Sequence, residues 1–343
     1  MNKTLLYLLV FLAIVLAAWF GINGIETNTL NKTTTAFTLE DTASVTKVII
    51  EDNEGRKLQL DKKEALWVVN QGYKARPDAI QRLLQTLTKL QVKYPVGKDA
   101  YPAVMKNFEN PVRRVSIFKD NPNEASKVYL LGGTPHTLKG TYMMLEGTDD
   151  PYVVHLLGLE GHLMTRFFTV PETWRDRMIM DFRASDLASV RVEYPHFEES
   201  SFEVKAVADS FVVESLGGKM AINAADKLNK PVLVKFLSSF EKVNLEGFEN
   251  GYPRIDSVKA SKPFTKINIQ TKSGKSKEIT IHYMPLNRRS KAQIDGQGKA
   301  VPYDVDRFFA FVNGGKDFVL IQRRTFEGMF KRLSDFYYTP VVE

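Results

Sequence analysis

The chain has 343 residues, enough for two units of about 150 residues each once an N-terminal segment is set aside. Apolar residues make up 43% and charged residues 25%, a globular balance that excludes disorder as the default, and the absence of cysteine excludes disulfides, thiolate nucleophiles and Cys-ligated metal or cluster sites. The net charge of +7 is spread over 47 basic and 40 acidic residues; it suits anionic headgroups or an acidic partner, and no nucleic-acid module accompanies it.

Residues 5–20 read LLYLLVFLAIVLAAWF, and Gly21, Ile22 and Ile25 extend the run to the length that spans a bilayer core. This predicts a transmembrane anchor over 1–25, with Leu5, Leu9, Leu12 and Leu16 in lipid and Trp19 near the outer interface. Lys3 precedes the run and 23–31 contains no Lys or Arg, so the N-terminus is placed in the cytoplasm and the body outside. The competing reading is a cleaved signal peptide, but Leu16 stands where a small residue is needed for cleavage after Ala18. Gly21 and Gly24 do not make a Gly-x-x-x-Gly face. Residues 26–43, rich in Thr and Asn, read as a polar tether.

The remainder reads as two copies of one unit, 44–183 and 184–343. Val48-Ile49-Ile50-Glu51 corresponds to Val190-Arg191-Val192-Glu193, Leu58-Gln59-Leu60 to Phe202-Glu203-Val204, and Trp67-Val68-Val69 to Phe211-Val212-Val213; each run has a strand's alternation. A helix follows in both, from Pro77 to about Val92 with Ile80, Leu83, Leu84, Leu87 and Leu90 on one face, and from Pro231 with Leu233, Phe236, Leu237, Phe240 and Val243. Val112, Val115 and Ile117 then correspond to Phe264, Ile267 and Ile269, Val128 and Leu130 to Ile279 and Ile281, and the hairpin 143–154 to 309–320. A closing helix is expected at 159–163 and 326–330. The fold class is therefore α+β: after the anchor, two duplicated units, each a mainly antiparallel sheet covered on one face by an amphipathic helix.

The second copy is longer between Pro285 and Phe309. The extra segment, about 288–306, carries Arg288, Arg289 and Lys291 and ends in Tyr303-Asp304-Val305-Asp306. Such a loop on one copy of a duplicated scaffold is a candidate partner-binding site. Asp304 and Asp306 alternate as on a strand and are expected to share a face, able to hold a cation or a basic partner. Trp174-Arg175-Asp176-Arg177 lies near the unit boundary; its residues, with Trp174, Arg175 and Arg177 as candidate partner contacts, read either as a clasp between units or as a docking hot spot.

The anchor, the strand pair ending in Trp67-Val68-Val69, the Ala-x-Pro-Asp helix start at 75–78 and the Trp-Arg-Asp-Arg run at 174–177 together resemble the domain-of-unknown-function 4340 family, most clearly over 58–183. Members are encoded beside ABC-transporter genes, some of the gliding-motility type. The resemblance implies a transporter-accessory role beside an integral membrane permease and an ATPase; with the apolar run and its flanking charges, the expected placement is the bacterial inner membrane, single-pass, with the body in the periplasm.

Chemistry is sparse. Gly274-Lys275-Ser276 is no P-loop, because Ile269 stands where the first Gly is required. Among His136, His155, His162, His196 and His282 there is no His-Glu-x-x-His motif, though His155 and His162 could share a helical face; Ser185-Asp186 and Ser334-Asp335 read as helix starts. No catalytic residue, cofactor or metal site is expected. The function expected is an accessory subunit of an ABC-type transport system acting by protein–protein contact. The alternative is an extracytoplasmic binding module for a glycan, lipid or peptide, with a site between the units and Tyr142, Tyr152, Tyr303 and Phe308 as candidate aromatic contacts.

Overall fold

The computed structural model describes residues 12–15, 19, 36–136, 139–159, 161–217, 227–288, 290–291, 294 and 298–338. The anchor expected over 1–25 lies mostly outside these residues, Leu5, Leu9 and Leu16 included. Residues 12–15 and Trp19 are helical, with Leu12 and Trp19 exposed. Among the described residues no helix is long and apolar enough to cross a membrane.

The chain divides into two compact units, Met1–Asp176 and Arg177–Glu343. In the first, one sheet contains β1 Lys47–Asp52, β2 Lys57–Lys63, β3 Leu66–Val69, β4 Tyr73–Lys74, β5 Leu90–Pro95, β6 Arg113–Phe118, β7 Lys127–Gly133, β8 Thr141–Leu145 and β9 Tyr152–Leu156. Their order is β4-β3-β2-β1-β6-β7-β8-β9-β5, and neighbours pair antiparallel. The second unit contains β10 Met178–Met180, β11 Leu187–Glu193, β12 Phe202–Val207, β13 Ser210–Ser215, β14 Lys227–Leu228, β15 Val243–Asn244, β16 Gly247–Phe248, β17 Thr265–Thr271, β18 Ser276–Pro285, β19 Tyr303–Val312, β20 Asp317–Gln322 and β21 Tyr337–Tyr338. Its main sheet runs β13-β12-β11-β17-β18-β19-β20-β16, beside the two ribbons β10-β15 and β14-β21. Read from β3 and from β13, the two main sheets have the same order.

The register agrees as well. Val48 lies opposite Leu60 and Ile117, as Val190 lies opposite Val204 and Ile269. Leu60 pairs with Val69 as Val204 pairs with Val213. Beyond β6 and β17 the sequence correspondence is one residue out. Val115 faces Tyr129 and Ile267 faces Ile279, so Tyr129 and Leu131, not Val128 and Leu130, match Ile279 and Ile281. The hairpins shift likewise, with Met143 matching Ala310. A one-residue slip exchanges the two faces of a strand, so this difference decides which side chains reach the core.

The helices are α1 Pro77–Lys89, α2 Tyr101–Glu109, α3 Lys230–Ser238, α4 Ile255–Ala260 and α5 Arg323–Phe326. Pro77 opens α1, where its missing N–H costs nothing, and Asp78 sits favourably in the first turn. Ile80, Leu83 and Leu87 are buried in the first core with Val48, Ile50, Leu60 and Val115. The helix stops at Lys89, short of the expected Val92, because Leu90 enters β5 and pairs with β9. In the second unit α3 presents Leu233, Phe236 and Leu237 to Val190, Val204, Ile267 and Ile281, and Asn229 caps it by accepting from the Val232 N–H. Phe240 and Val243 follow the helix, and Val243 lies in β15.

Each sheet is covered on both faces, not one. Val104 and Phe108 of α2 pack on Met144, and Val258 of α4 packs with Met284, Phe309, Phe311 and Phe318. The closing helices also sit elsewhere. Two four-residue 3-10 turns, Leu163–Arg166 and Leu333–Phe336, occupy that role and pack against α1 and α3 respectively.

The tether expected over 26–43 is built into the first unit at its described end. Phe37 and Leu39 are buried, and the Leu39 N–H donates to the Leu87 carbonyl at 2.9 Å. The units divide between Asp176 and Arg177, earlier than the 183/184 division read from the sequence. The Arg177 carbonyl accepts from the Leu245 N–H, and Met178–Met180 pairs with β15, so this stretch belongs to the second unit.

Candidate functional site

The connection between β18 and β19 spans 286–302, against 134–140 between β7 and β8. Tyr303 to Asp306 lie in β19, so the loop is shorter than the 288–306 segment read from the sequence. Pairing jumps from Tyr283–Phe308 to Pro285–Tyr303, which leaves 304–307 as a bulge. Such a bulge strips backbone N–H groups of ladder partners, and here Asp304 supplies them. Its buried carboxylate accepts from the N–H groups of Asp306 and Arg307, both at 2.9 Å, and from the Ser290 hydroxyl at 2.6 Å. Asp304 therefore fastens the loop to the strand. Asp306 instead is exposed and pairs with Lys291 at 3.2 Å. The two carboxylates do not form the common face expected of them, and no group able to hold a metal occurs among the described residues.

Beside the loop lies a polar groove of about 610 Å³, lined by Lys291, Asp306, Arg307, Gln322, Arg323, Arg324 and Glu327. Arg307 is held by Glu246 at 3.0 Å, and that hydrogen bond pushes its pKa above the ordinary arginine value. Arg323 gives its Nε–H to the Val305 carbonyl at 2.8 Å and lies over the Phe308 ring at 5.2 Å. Arg324 is exposed and hydrogen-bonds Gln322 at 2.7 Å. Four cationic side chains thus meet two acidic ones along the lining, a field that favours an acidic partner. Arg288 is exposed in the loop; Arg289 lies outside the described residues.

Sequence reading brought Arg288, Lys291 and Asp306 toward this site but missed Arg323 and Arg324. Both follow β20 at the start of α5, distant in the chain, and a pair of arginines at a strand end carries no motif.

The Trp-Arg-Asp-Arg run is placed differently from expectation. Trp174 is buried in the first unit's core; its Nε1–H donates to the Phe168 carbonyl at 3.0 Å. Its own carbonyl accepts from the Arg76 N–H, which ties the run to the start of α1. Arg175 is also buried, stacked 3.8 Å over the Tyr73 ring, and Asp176 pairs with Lys74 at 2.9 Å. Trp174 to Asp176 thus pack on the Tyr73 to Arg76 stretch of the first unit, with Trp174 and Arg175 buried. Arg177 is half-buried at the start of the second unit.

Two of the four aromatic candidates lie in the first unit and two in the second. Tyr152 packs on Phe37 and Tyr142 on the α2 side of the first sheet, while Tyr303 stacks on Tyr283 at 4.2 Å and Phe308 is buried in the second core. His155 lies in β9 and His162 in a loop, so they share no helical face. Ser185-Asp186 and Ser334-Asp335 do lie in 3-10 turns, and Asp335 accepts from the Arg332 N–H at 2.9 Å.

Fold and site together define a protein of two antiparallel α+β units of one topology, the second carrying a basic groove beside an enlarged loop. The chain matches the family described as Domain of unknown function (DUF4340) over residues 67–265, more than half its length, and belongs to that family. The match runs from β3 to the first residue of β17, so the enlarged loop and its groove lie beyond it. No curated protein and no solved structure matches the chain.

Proposed function

We propose that this protein is a membrane-anchored extracytoplasmic accessory subunit of an ABC-type transport system, associated in some members with gliding motility. A transmembrane helix over 1–25 holds it in a bacterial inner membrane, with its body in the periplasm. It acts by docking onto an integral membrane permease, with the ATPase supplied by a separate chain. The apolar run from Leu5 to Phe20 supports the membrane setting, and the transporter role is what the family resemblance implies.

One observation carries the mode of action. The second unit repeats the first, and the groove it adds presents Lys291, Arg307, Arg323 and Arg324 on a frame held by Asp304. A basic groove on a rigid sheet end suits an acidic protein segment and needs no chemistry of its own.

The test is a photo-crosslinking amino acid placed at Arg324 or Arg288 in the full chain, in its native membrane. Crosslinking to one integral membrane protein at these positions, and not at Gln59 on the first sheet, is the expected result. Equal labelling of unrelated membrane proteins from all three positions would overturn the docking surface.

A further inference from the structure

The face of the second sheet that α4 covers carries a separate groove of about 370 Å³. Its polar lining comes from Lys259 and Ser261 at the end of α4, Lys266 of β17, and Glu278, Thr280 and His282 of β18. His282 is 2% exposed. Ser261 Oγ lies 2.6 Å from the Val258 carbonyl oxygen and 3.0 Å from His282 Nδ1. A hydroxyl has one proton, and here the carbonyl takes it, so Ser261 accepts from Nδ1–H. That fixes the tautomer and leaves Nε2 as the ring's remaining polar atom. The Phe311 ring, 5.5 Å away and nearly perpendicular, backs the imidazole. Burial, and then the charge of Lys266, push the His282 pKa below the ordinary histidine value.

The first unit shows what this position looks like when it is only packed. Leu131 faces Arg113 as Ile281 faces Thr265, so Gly132 stands where His282 stands. A Cβ on Gly132 would lie 2.9 Å from the Phe108 ring of α2. The helix sits directly on the backbone there and leaves no room for a side chain. In the second unit the same place holds a buried histidine, a serine that orients it, and two lysines around an open groove.

We propose that this groove binds a small oxyanion, a carboxylate or phosphate group, and that binding loads a proton onto His282 Nε2. With His282 neutral, the lining carries Lys259 and Lys266 against Glu278. Protonation turns Nε2 from an acceptor into a donor and adds a positive charge, so proton and anion bind together. The groups that face the ring are Lys259 and Ser261 from the α4 end, Lys266 from β17, Glu278 and Thr280 from β18, and uncharged Phe311 and the Gly314-Gly315 turn from the β19 hairpin. The site shares no residue with the docking groove and stands whether or not that groove binds a partner.

The experiment uses the full chain in mild detergent, with histidine labelled at the ring carbon between its nitrogens. Sodium acetate and inorganic phosphate are titrated separately at pH 6 and pH 8 and constant ionic strength. The five histidines give four internal controls. A saturable shift of the His282 resonance alone is expected, with acetate, ionised at both pH values, binding on the order of ten-fold more tightly at pH 6. The anion that saturates at lower concentration identifies the group as carboxylate or phosphate. Lys266→Met at its half-buried position and Ser261→Ala each weaken binding by about ten-fold. Failure of both anions to saturate, shifts shared by all five histidines, or acetate affinity equal at both pH values would overturn the site.

Discussion

Buried under the first sheet, the Tyr129 hydroxyl donates to the Phe37 carbonyl oxygen at 2.7 Å, and the two rings stack with centroids 6.0 Å apart. This contact bolts the segment before β1 into a core 92 positions further along the chain. Burial raises the Tyr129 pKa, so the phenol stays protonated and keeps its donor. Lys127 reinforces the join by donating to the carbonyls of Ala36 and Thr38, both at 2.9 Å. The body of the protein is thereby anchored at residue 37.

Tyr129→Phe removes one buried hydrogen bond and leaves the Phe37 carbonyl unpaired, at a cost of about 1–2 kcal/mol. Phe37→Ala opens a cavity as well and costs roughly 3–4 kcal/mol. The three tryptophans, Trp19, Trp67 and Trp174, all precede the second unit, so intrinsic fluorescence in a urea titration of the full chain reports the first unit selectively. Both variants lower the midpoint of that signal, Phe37→Ala by more.

Asp52 carries an acid-sensitive join. Burial pushes its carboxyl pKa up, but hydrogen bonds from the Thr169 hydroxyl, the Arg56 side chain, and the N–H groups of Arg56 and Glu54 outweigh burial and hold it at about 2. Because the folded value lies below that of a free aspartate, Asp52 contributes its full stability above about pH 4 and loses it as pH falls toward 2. Asp52→Asn costs roughly 2 kcal/mol at pH 7 and flattens the stability profile between pH 4 and 2. Tryptophan fluorescence across that range checks both effects.

How much of this was legible follows from which faces are buried. Strands β1 to β3 and β11 to β13 alternate cleanly, and their correspondence reads residue for residue. In β7 the run Val128-Tyr129-Leu130-Leu131 is apolar at both parities, because Leu130 packs toward α2 while Tyr129 and Leu131 enter the main core. Alternation vanishes where both faces are covered, and the register slipped there. Strand β5 was hidden because Leu90 continues the α1 stripe, and α2 and α4 are too short for a strong helical period. The enlarged loop was visible as a difference between copies. The Ser261–His282 pair was not, since residues 21 apart meet only through the packing of α4 on β18.

Gly132→Ala places a methyl group against Phe108 and forces α2 off the sheet, an overpacking that costs about 1–3 kcal/mol. The same fluorescence-detected urea titration shows a lowered midpoint. His282→Gly, which copies the first unit's residue, leaves that signal unchanged because the second unit has no tryptophan.

Asp304→Ala releases the N–H groups of Asp306 and Arg307 and the Ser290 hydroxyl together, roughly 1–3 kcal/mol of local stability. The loop 286–302 opens more often, and limited trypsin digestion cleaves faster after Arg288 and Lys291. Lys291→Ala, which breaks only an exposed pair with Asp306, leaves cleavage after Arg288 nearly unchanged.

The proposed docking role places the membrane partner on the basic groove of the second unit. Tagged full-length protein, purified from its native membrane in mild detergent, is compared with Arg323→Glu/Arg324→Glu by mass spectrometry of what accompanies each. A permease and an ATPase are expected to come with the unaltered chain and to be lost from the double variant, while the far-ultraviolet circular dichroism of the two proteins is the same. An unaltered chain that purifies alone, or partners retained equally by the double variant, would contradict it.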